Sequence, residues 1–341
     1  MEARKPTRKA PMADAPTLAR KGASLDVTAF FRRYAALAAL IVLLAFDFAL
    51  TPNFASWQTL NVNLTQVATI VIVSVGMTLV IATGGIDLSV GSLMAISGAL
   101  APLLFLGPVG RASPALGNLL AFVVPVAVAG LFGAFNGWFI TRFRVQPIVG
   151  TLVMFIAGRG IGQVLTNGNL QAFKNPTFQF IGLGRVFGVP CQVIIMLALV
   201  AAAAWTLRST LFGRQILSVG GNERAARLSG VPVASVKRWV YAISGLCAGI
   251  AGLVVVSINS SSDANLVGLG MELDAIAAVA VGGTPFTGGQ ATVVGTLIGA
   301  LLIQLVRYTL LANGVPDAAA LVVKGAIIAG AVWSQQRARA T

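Results

Sequence analysis

The chain has 341 residues, of which 57% are hydrophobic and only 10% charged, and its mean hydropathy is +0.86. A soluble domain carries about 25% charged residues, so the surplus apolar surface must face lipid and the class is an all-α polytopic membrane protein. The net charge of +14 sits in short segments between apolar runs, which excludes a nucleic-acid-binding stripe, and the absence of histidine excludes a His-based metal site and the usual proton-transfer base.

In chain order, residues 1–33 hold eight Lys and Arg in a Pro/Ala-rich stretch and read as a flexible cytoplasmic tail. The first apolar run, Tyr34 to Leu50, starts like a secretory signal but is longer than a signal core. The following Thr51-Pro52-Asn53-Phe54 is a poor cleavage site, so the run reads as a retained signal anchor. Ten apolar runs follow one another near 34–51, 64–83, 86–106, 118–141, 146–165, 190–208, 238–258, 272–285, 291–311 and 317–334, predicting about ten transmembrane helices within a domain spanning 34–335. An even number puts both termini on one side, with residues 336–341 as a cytoplasmic tail. With the N-terminus inside, eighteen of the 24 Lys and Arg fall in cytoplasmic segments and three in outer loops, the positive-inside pattern. Cys191 and Cys247 both lie in apolar runs, giving no disulfide framework.

Two loops are long. The outer one, near 166–189, carries Asn, Gln, Pro and aromatics, as a partner-facing surface would. The inner one, near 209–237, has a polar helical centre, Asn222 to Leu228, between Gly220-Gly221 and Gly230. A solvated connector and a helix presented to a cytoplasmic partner both fit that pattern. One internal echo sets Ala82-Thr83-Gly84-Gly85-Ile86-Asp87-Leu88-Ser89-Val90-Gly91 against Ala280-Val281-Gly282-Gly283-Thr284-Pro285-Phe286-Thr287-Gly288-Gly289, each a Gly-Gly break between apolar spans. Paired breaks of this kind point to a translocation path, although glycine also serves simple helix packing.

Polar side chains inside spans cost free energy and need a reason. Asp87 and Ser89 lie at the first Gly-Gly break, where they can cap a helix N-terminus or offer oxygens to a polyol. Asn136, Arg159, Gln163 and Gln304 suit either hydroxyl recognition or interhelical hydrogen bonds. Glu272 and Asp274 open the eighth run at its outer end, where they can cap it, pair with Arg307 or Arg159, or line an entrance; Asp47 is a similar pairing candidate. Gly158-Arg159-Gly160-Ile161-Gly162 lacks the spacing of a dinucleotide loop, and GxxxxGK[ST] does not occur, so no usual ATP site is encoded and the chain reads as a non-enzyme.

The run Val75-Gly76-Met77-Thr78-Leu79-Val80-Ile81-Ala82-Thr83-Gly84-Gly85-Ile86-Asp87-Leu88-Ser89-Val90-Gly91 closely resembles the ribose/xylose/galactose-type permeases of bacterial ABC importers. The likeness continues in Phe135-Asn136-Gly137, in Gly158-Arg159-Gly160, in the inner loop and in Glu272-Leu273-Asp274-Ala275-Ile276-Ala277-Ala278-Val279. It covers about 35–335, and within the group the galactofuranose-type permeases are the most similar, through the first motif and Ala157-Gly158-Arg159-Gly160. The resemblance implies a multi-pass protein of the bacterial cytoplasmic (inner) membrane that passes a monosaccharide inward. It implies three partners: a periplasmic sugar-binding protein, a second permease chain, identical or different, and an ABC ATPase subunit that binds the ATP and Mg, leaving no cofactor in this chain. It also implies that Gly221, Asn222, Glu223, Arg224, Ala225, Ala226, Arg227 and Gly230 belong to a cytoplasmic coupling helix that docks on the ATPase. The competing reading from the residues is an ion-coupled secondary transporter with Asp87 as its coupling carboxylate.

Overall fold

The computed structural model describes residues 27–340 and divides the chain into two units, 1–35 and 36–341. Residues 1–26 of the expected tail lie outside the described residues, and the helix beginning at Val27 takes in 27–33.

The helices in chain order are α1 (Val27–Leu50), α2 (Trp57–Ala82), α3 (Val90–Leu106), α4 (Pro108–Ala112), α5 (Pro114–Phe143), α6 (Pro147–Thr166), α7 (Pro176–Leu183), α8 (Cys191–Ser209), α9 (Leu211–Gly221), α10 (Glu223–Leu228), α11 (Val233–Asn259), α12 (Met271–Val281), α13 (Val293–Ala312) and α14 (Asp317–Ala340). Residues 336–340, expected as a tail, continue α14. Four two-residue strands form two antiparallel ladders: β1 (Gln171–Ala172) with β4 (Ser261–Ser262), and β2 (Arg185–Val186) with β3 (Val189–Pro190).

Each of the ten apolar runs falls on a helix, but among the described residues only seven helices are long and apolar enough to cross a membrane: α2, α3 extended by α4, α5, α6, α8, α11 and α13. Seven, not about ten, is the number among the described residues, where α1 and α14 contribute only the stretches Ala36–Leu50 and Ala318–Ile327. Helix α12 has 11 residues, and at about 1.5 Å per residue it reaches roughly half of a hydrocarbon core about 30 Å thick.

The crossing helices sort into inner and outer ones. The apolar stretches of α2, α3 and α11 are 83%, 72% and 72% buried, whereas those of α5, α6 and α8 are 28%, 28% and 33% buried. Exposed Leu131, Ile156, Val164 and Trp205 on the outer helices form the apolar exterior that composition required. Apolar attraction between helices is weak in lipid, so small residues that let backbones touch set the packing. On α5, Gly133 and Gly137 lie against Tyr241 and Arg238 of α11; on α11, Gly245 and Gly249 lie against Ala129 of α5. A Cβ at Gly137 would stand 2.7 Å from the Arg238 Cα, so this crossing depends on glycine.

The loop before α8 folds inward more than its composition suggested. Asn175 caps α7, its Oδ1 accepting from Phe178 N at 3.2 Å. Phe178 is fully buried and its ring meets Phe105, Phe122 and Phe173 at centroid distances of 5.1, 5.3 and 5.6 Å. At the tip of the β2–β3 hairpin Phe187 is wholly exposed with φ +51°.

Candidate functional site

The polar residues singled out by sequence separate into three clusters. The first lies where the chain breaks between α2 and α3. Gly84 takes φ +77°, a conformation that favours glycine, and turns the chain out of α2. Asp87 is fully buried in the turn that follows. Its Oδ1 accepts from Ser89 N at 3.0 Å and Ser89 Oγ at 2.6 Å, and its Oδ2 accepts from Ser244 Oγ of α11 at 2.8 Å. Asn136 Nδ2 of α5 donates to Ser89 Oγ at 2.9 Å. Thr151 of α6 accepts from Leu88 N at 3.1 Å, and the Tyr241 hydroxyl donates to Ile86 O at 3.4 Å. Asp87, Ser89 and Asn136 are thus brought together, and the knot ties α3, α5, α6 and α11. Its donors come from this chain and gather at the turn before α3, whose N-cap residue Ser89 makes no side-chain capping bond of its own.

The second cluster joins α6, α12 and the loop between α11 and α12. Arg159 Nη1 donates to Ala264 O at 2.9 Å and Val267 O at 2.6 Å, and Gln163 Nε2 donates to Asn265 Oδ1 at 2.8 Å. Glu272 is buried in the first turn of α12. Its Oε2 and the Nη2 of Arg159 are enclosed without hydrogen-bond partners among the described residues, while the two charges attract each other. Asp274 departs from the expected pairings with Arg159 or Arg307: it forms an ion pair with Lys324 of α14. Asp47 likewise accepts hydroxyl bonds from Thr51 at 2.6 Å and Thr309 at 2.7 Å. Gln304 stands apart from both clusters, donating to Gln66 Oε1 at 2.6 Å between α13 and α2.

The third cluster surrounds α10. Asn222 caps it, Oδ1 accepting from Ala225 N at 3.0 Å. Gly230 ends the segment with φ +82°. Ala226 is buried against the chain's own backbone, whereas Ala225 and Arg224 face outward and Leu228 is 83% exposed. Glu223 bonds Lys237 at 2.6 Å and Arg227 at 3.0 Å. Lys237 first, then Arg227, hold its carboxyl below the usual range. This clamp on α10 is therefore intact at neutral pH and is lost as pH falls through the depressed value.

A glycine junction links the third cluster to the first. Gly220 of α9 lies on the Ala82 carbonyl at the end of α2, and a Cβ there would also come within 2.5 Å of Gly289 N. Gly289 N donates to Ala82 O at 3.0 Å. Gly288 and Gly289 both have φ +79°. The Gly84 break therefore meets Gly288-Gly289 at the far end of the segment that echoes it, while Gly282, its counterpart by alignment, packs on Gly295.

Sequence reasoning missed Ser244, Tyr241, Thr151, Lys237 and Leu228. Serine and threonine are too common in apolar helices to stand out, and Lys237 lies outside the spans. Lys324 carried the one usable signal, since a lysine within a span needs a counter-charge.

No solved structure matches the chain. The ribose import permease of Escherichia coli K12 is 43% identical over 300 residues, covering 87% of this chain and 91% of the relative. The galactofuranose transporter permease of the same organism is 37% identical over 309 residues, covering 86% of each. The fructose import permease of Bifidobacterium longum is 35% identical over 256 residues, covering 74% of this chain and 70% of the relative. The family model described as the permease component of the branched-chain amino acid transport system matches residues 58–332, nearly the whole of the described membrane core. With that match, the broken helix starts and the glycine-packed crossings, the chain belongs to this family of transport permeases.

Proposed function

We propose that this chain is the membrane-spanning permease subunit of an ABC importer that moves a monosaccharide across the bacterial inner membrane, powered by a separate ATPase. The observation that carries the sugar is the 43% identity to a ribose permease along nearly the full length of both chains, beside comparable likeness to galactofuranose and fructose permeases. Those three relatives leave the individual sugar open. A binding protein that selects the sugar outside the membrane and a second permease chain, identical or different, complete the assembly. Uptake by vesicles holding chain, ATPase and binding protein, competed with unlabelled ribose, galactose, fructose and leucine, tests the substrate class. Competition by leucine and by none of the sugars would overturn it.

On charge placement the α5–α6 corner and α10 face the cytoplasm, because Arg142, Arg144, Arg208, Arg214, Arg224, Arg227, Lys237 and Arg238 then lie inward and Arg111, Lys174 and Arg185 outward. Helix α10 is the coupling helix. Gly221, Asn222 and Gly230 shape it, Glu223 and Arg227 brace it, and Arg224, Ala225 and Leu228 meet the ATPase, with Ala226 seated on the chain itself. Leu228→Asp should leave membrane insertion intact and reduce ATPase copurification and uptake at least about tenfold, the range of a buried interface anchor. Wild-type copurification would remove Leu228 from the interface.

The pathway runs past the inner helices, with the enclosed Arg159 and Glu272 polar atoms and Gln163 as candidate contacts for sugar hydroxyls. Asp87, Ser89 and Asn136 hold the α3 start beside it. Gln304 and Asp274 act on helix position, through Gln66 and Lys324. At the far end of α8 from α10, the hairpin tip Phe187 is the docking point for the binding protein. Phe187→Asn keeps a residue that tolerates the left-handed conformation, so thermal stability should hold while uptake falls several-fold at limiting binding protein. Unchanged uptake at every binding-protein concentration would assign the docking elsewhere.

A further inference from the structure

A groove of about 1360 Å³ opens between the α5–α6 corner and the α10–α11 corner. Its cationic lining is Arg142, Arg144, Arg224, Arg227, Lys237 and Arg238, against a single carboxylate, Glu223. That carboxylate is already taken by Lys237 and Arg227. Arg142, Arg144 and Arg224 have no carboxylate partner among the described residues. Like charges gathered around one cavity repel, and such a cavity gains stability only when an anion enters.

The neighbouring surface says which anion. The last turns of α5 carry a row of aromatic rings, Phe135 to Trp138 at 5.7 Å, Trp138 to Phe143 at 5.6 Å and Phe139 to Phe143 at 5.3 Å. Phe135, Trp138 and Phe143 are exposed, as is Trp239 beside Arg238. Phe143 stands between the two groove arginines Arg142 and Arg144 in sequence. Exposed tryptophan beside arginine, as in Arg238-Trp239, marks the level of lipid headgroups. The groove thus opens where a phosphodiester can enter it while its acyl chains lie on the ring row. A soluble acidic segment would match the charge but not the apolar flank.

We propose that this groove binds the headgroup of an anionic phospholipid of the cytoplasmic leaflet. The role rests on the inward-positive orientation proposed above, and because Arg224 and Arg227 belong both to the groove and to α10, the test spares the α10 arginines and omits the ATPase. The probe is phosphatidylglycerol titrated onto the purified full chain in detergent, with phosphatidylcholine and inorganic phosphate as comparison ligands. Wild type should prefer phosphatidylglycerol. Arg142→Gln/Arg144→Gln should lose roughly thirtyfold in affinity, about a factor of five for each cation removed near an anionic headgroup. Arg142→Lys/Arg144→Lys should retain binding. If the glutamine variant unfolds, the salt dependence of the wild type decides, since headgroup capture must weaken as salt rises. Salt-independent binding, equal affinity for phosphatidylcholine, or inorganic phosphate binding as tightly as the lipid would overturn the proposal. So would unchanged lipid affinity in the glutamine variant.

Discussion

Replacing Gly220 with valine leaves the chain in the membrane and abolishes transport. The Gly220 Cβ would lie on the Ala82 carbonyl and within 2.5 Å of Gly289 N, both backbone atoms that cannot rotate away. Overpacking of this kind costs about 1–3 kcal/mol. The strain falls on a contact that joins α9, and through it α10, to the breaks after α2 and α12. A movement of α10 driven from outside the chain reaches the inner helices through this backbone contact, so uptake should fall by about tenfold or more. The check is membrane abundance by immunoblot together with uptake at saturating substrate. Wild-type uptake in Gly220→Val would show that the junction transmits nothing.

Asp87 produces the second large effect, and two substitutions separate its roles. Asp87→Ala removes the acceptor for Ser89 N, Ser89 Oγ and Ser244 Oγ at once. Stranding buried donors in this way costs on the order of 3–5 kcal/mol. The expected result is a marked fall in the detergent melting temperature and in membrane abundance. Asp87→Asn keeps one oxygen for both Ser89 donors, and the Ser244 hydroxyl can turn to accept from the new amide. That variant should assemble near normally. If Asp87→Asn assembles fully but loses transport, the carboxylate has a role in the pathway that its fully enclosed position does not express. If both variants assemble, the knot does not hold the α3 start.

Much of this architecture was legible in the chain. Apolar runs located the helices, and Gly84-Gly85 marked a break because glycine at positive φ ends a helix cleanly. Charge placement supplies the orientation proposed above, which rests on sequence alone. Hydropathy could not give the number of crossings, since α12 is as apolar as its neighbours and differs only in ending after 11 residues. Nor could it give the partners. Ser244 lies 157 residues from Asp87, and nothing local marks it among the other small polar residues of α11. Asp274 and Lys324 were each conspicuous as charges within apolar runs, yet their pairing exists only once α14 packs beside α12. The Gly84 break found its counterpart at Gly288-Gly289 for a similar reason: backbone contact follows from three-dimensional approach, which sequence similarity between breaks does not encode.

The energy source of transport is the most direct test of the account. Proteoliposomes containing this chain with its ATPase and binding protein would be loaded with ATP or left empty, with and without imposed proton and sodium gradients. Labelled sugar accumulation would then be measured. Accumulation that requires ATP hydrolysis and persists when both gradients are collapsed is the predicted result. Accumulation that follows an ion gradient without ATP, and disappears in Asp87→Asn, would contradict it and make Asp87 the coupling carboxylate of a secondary transporter.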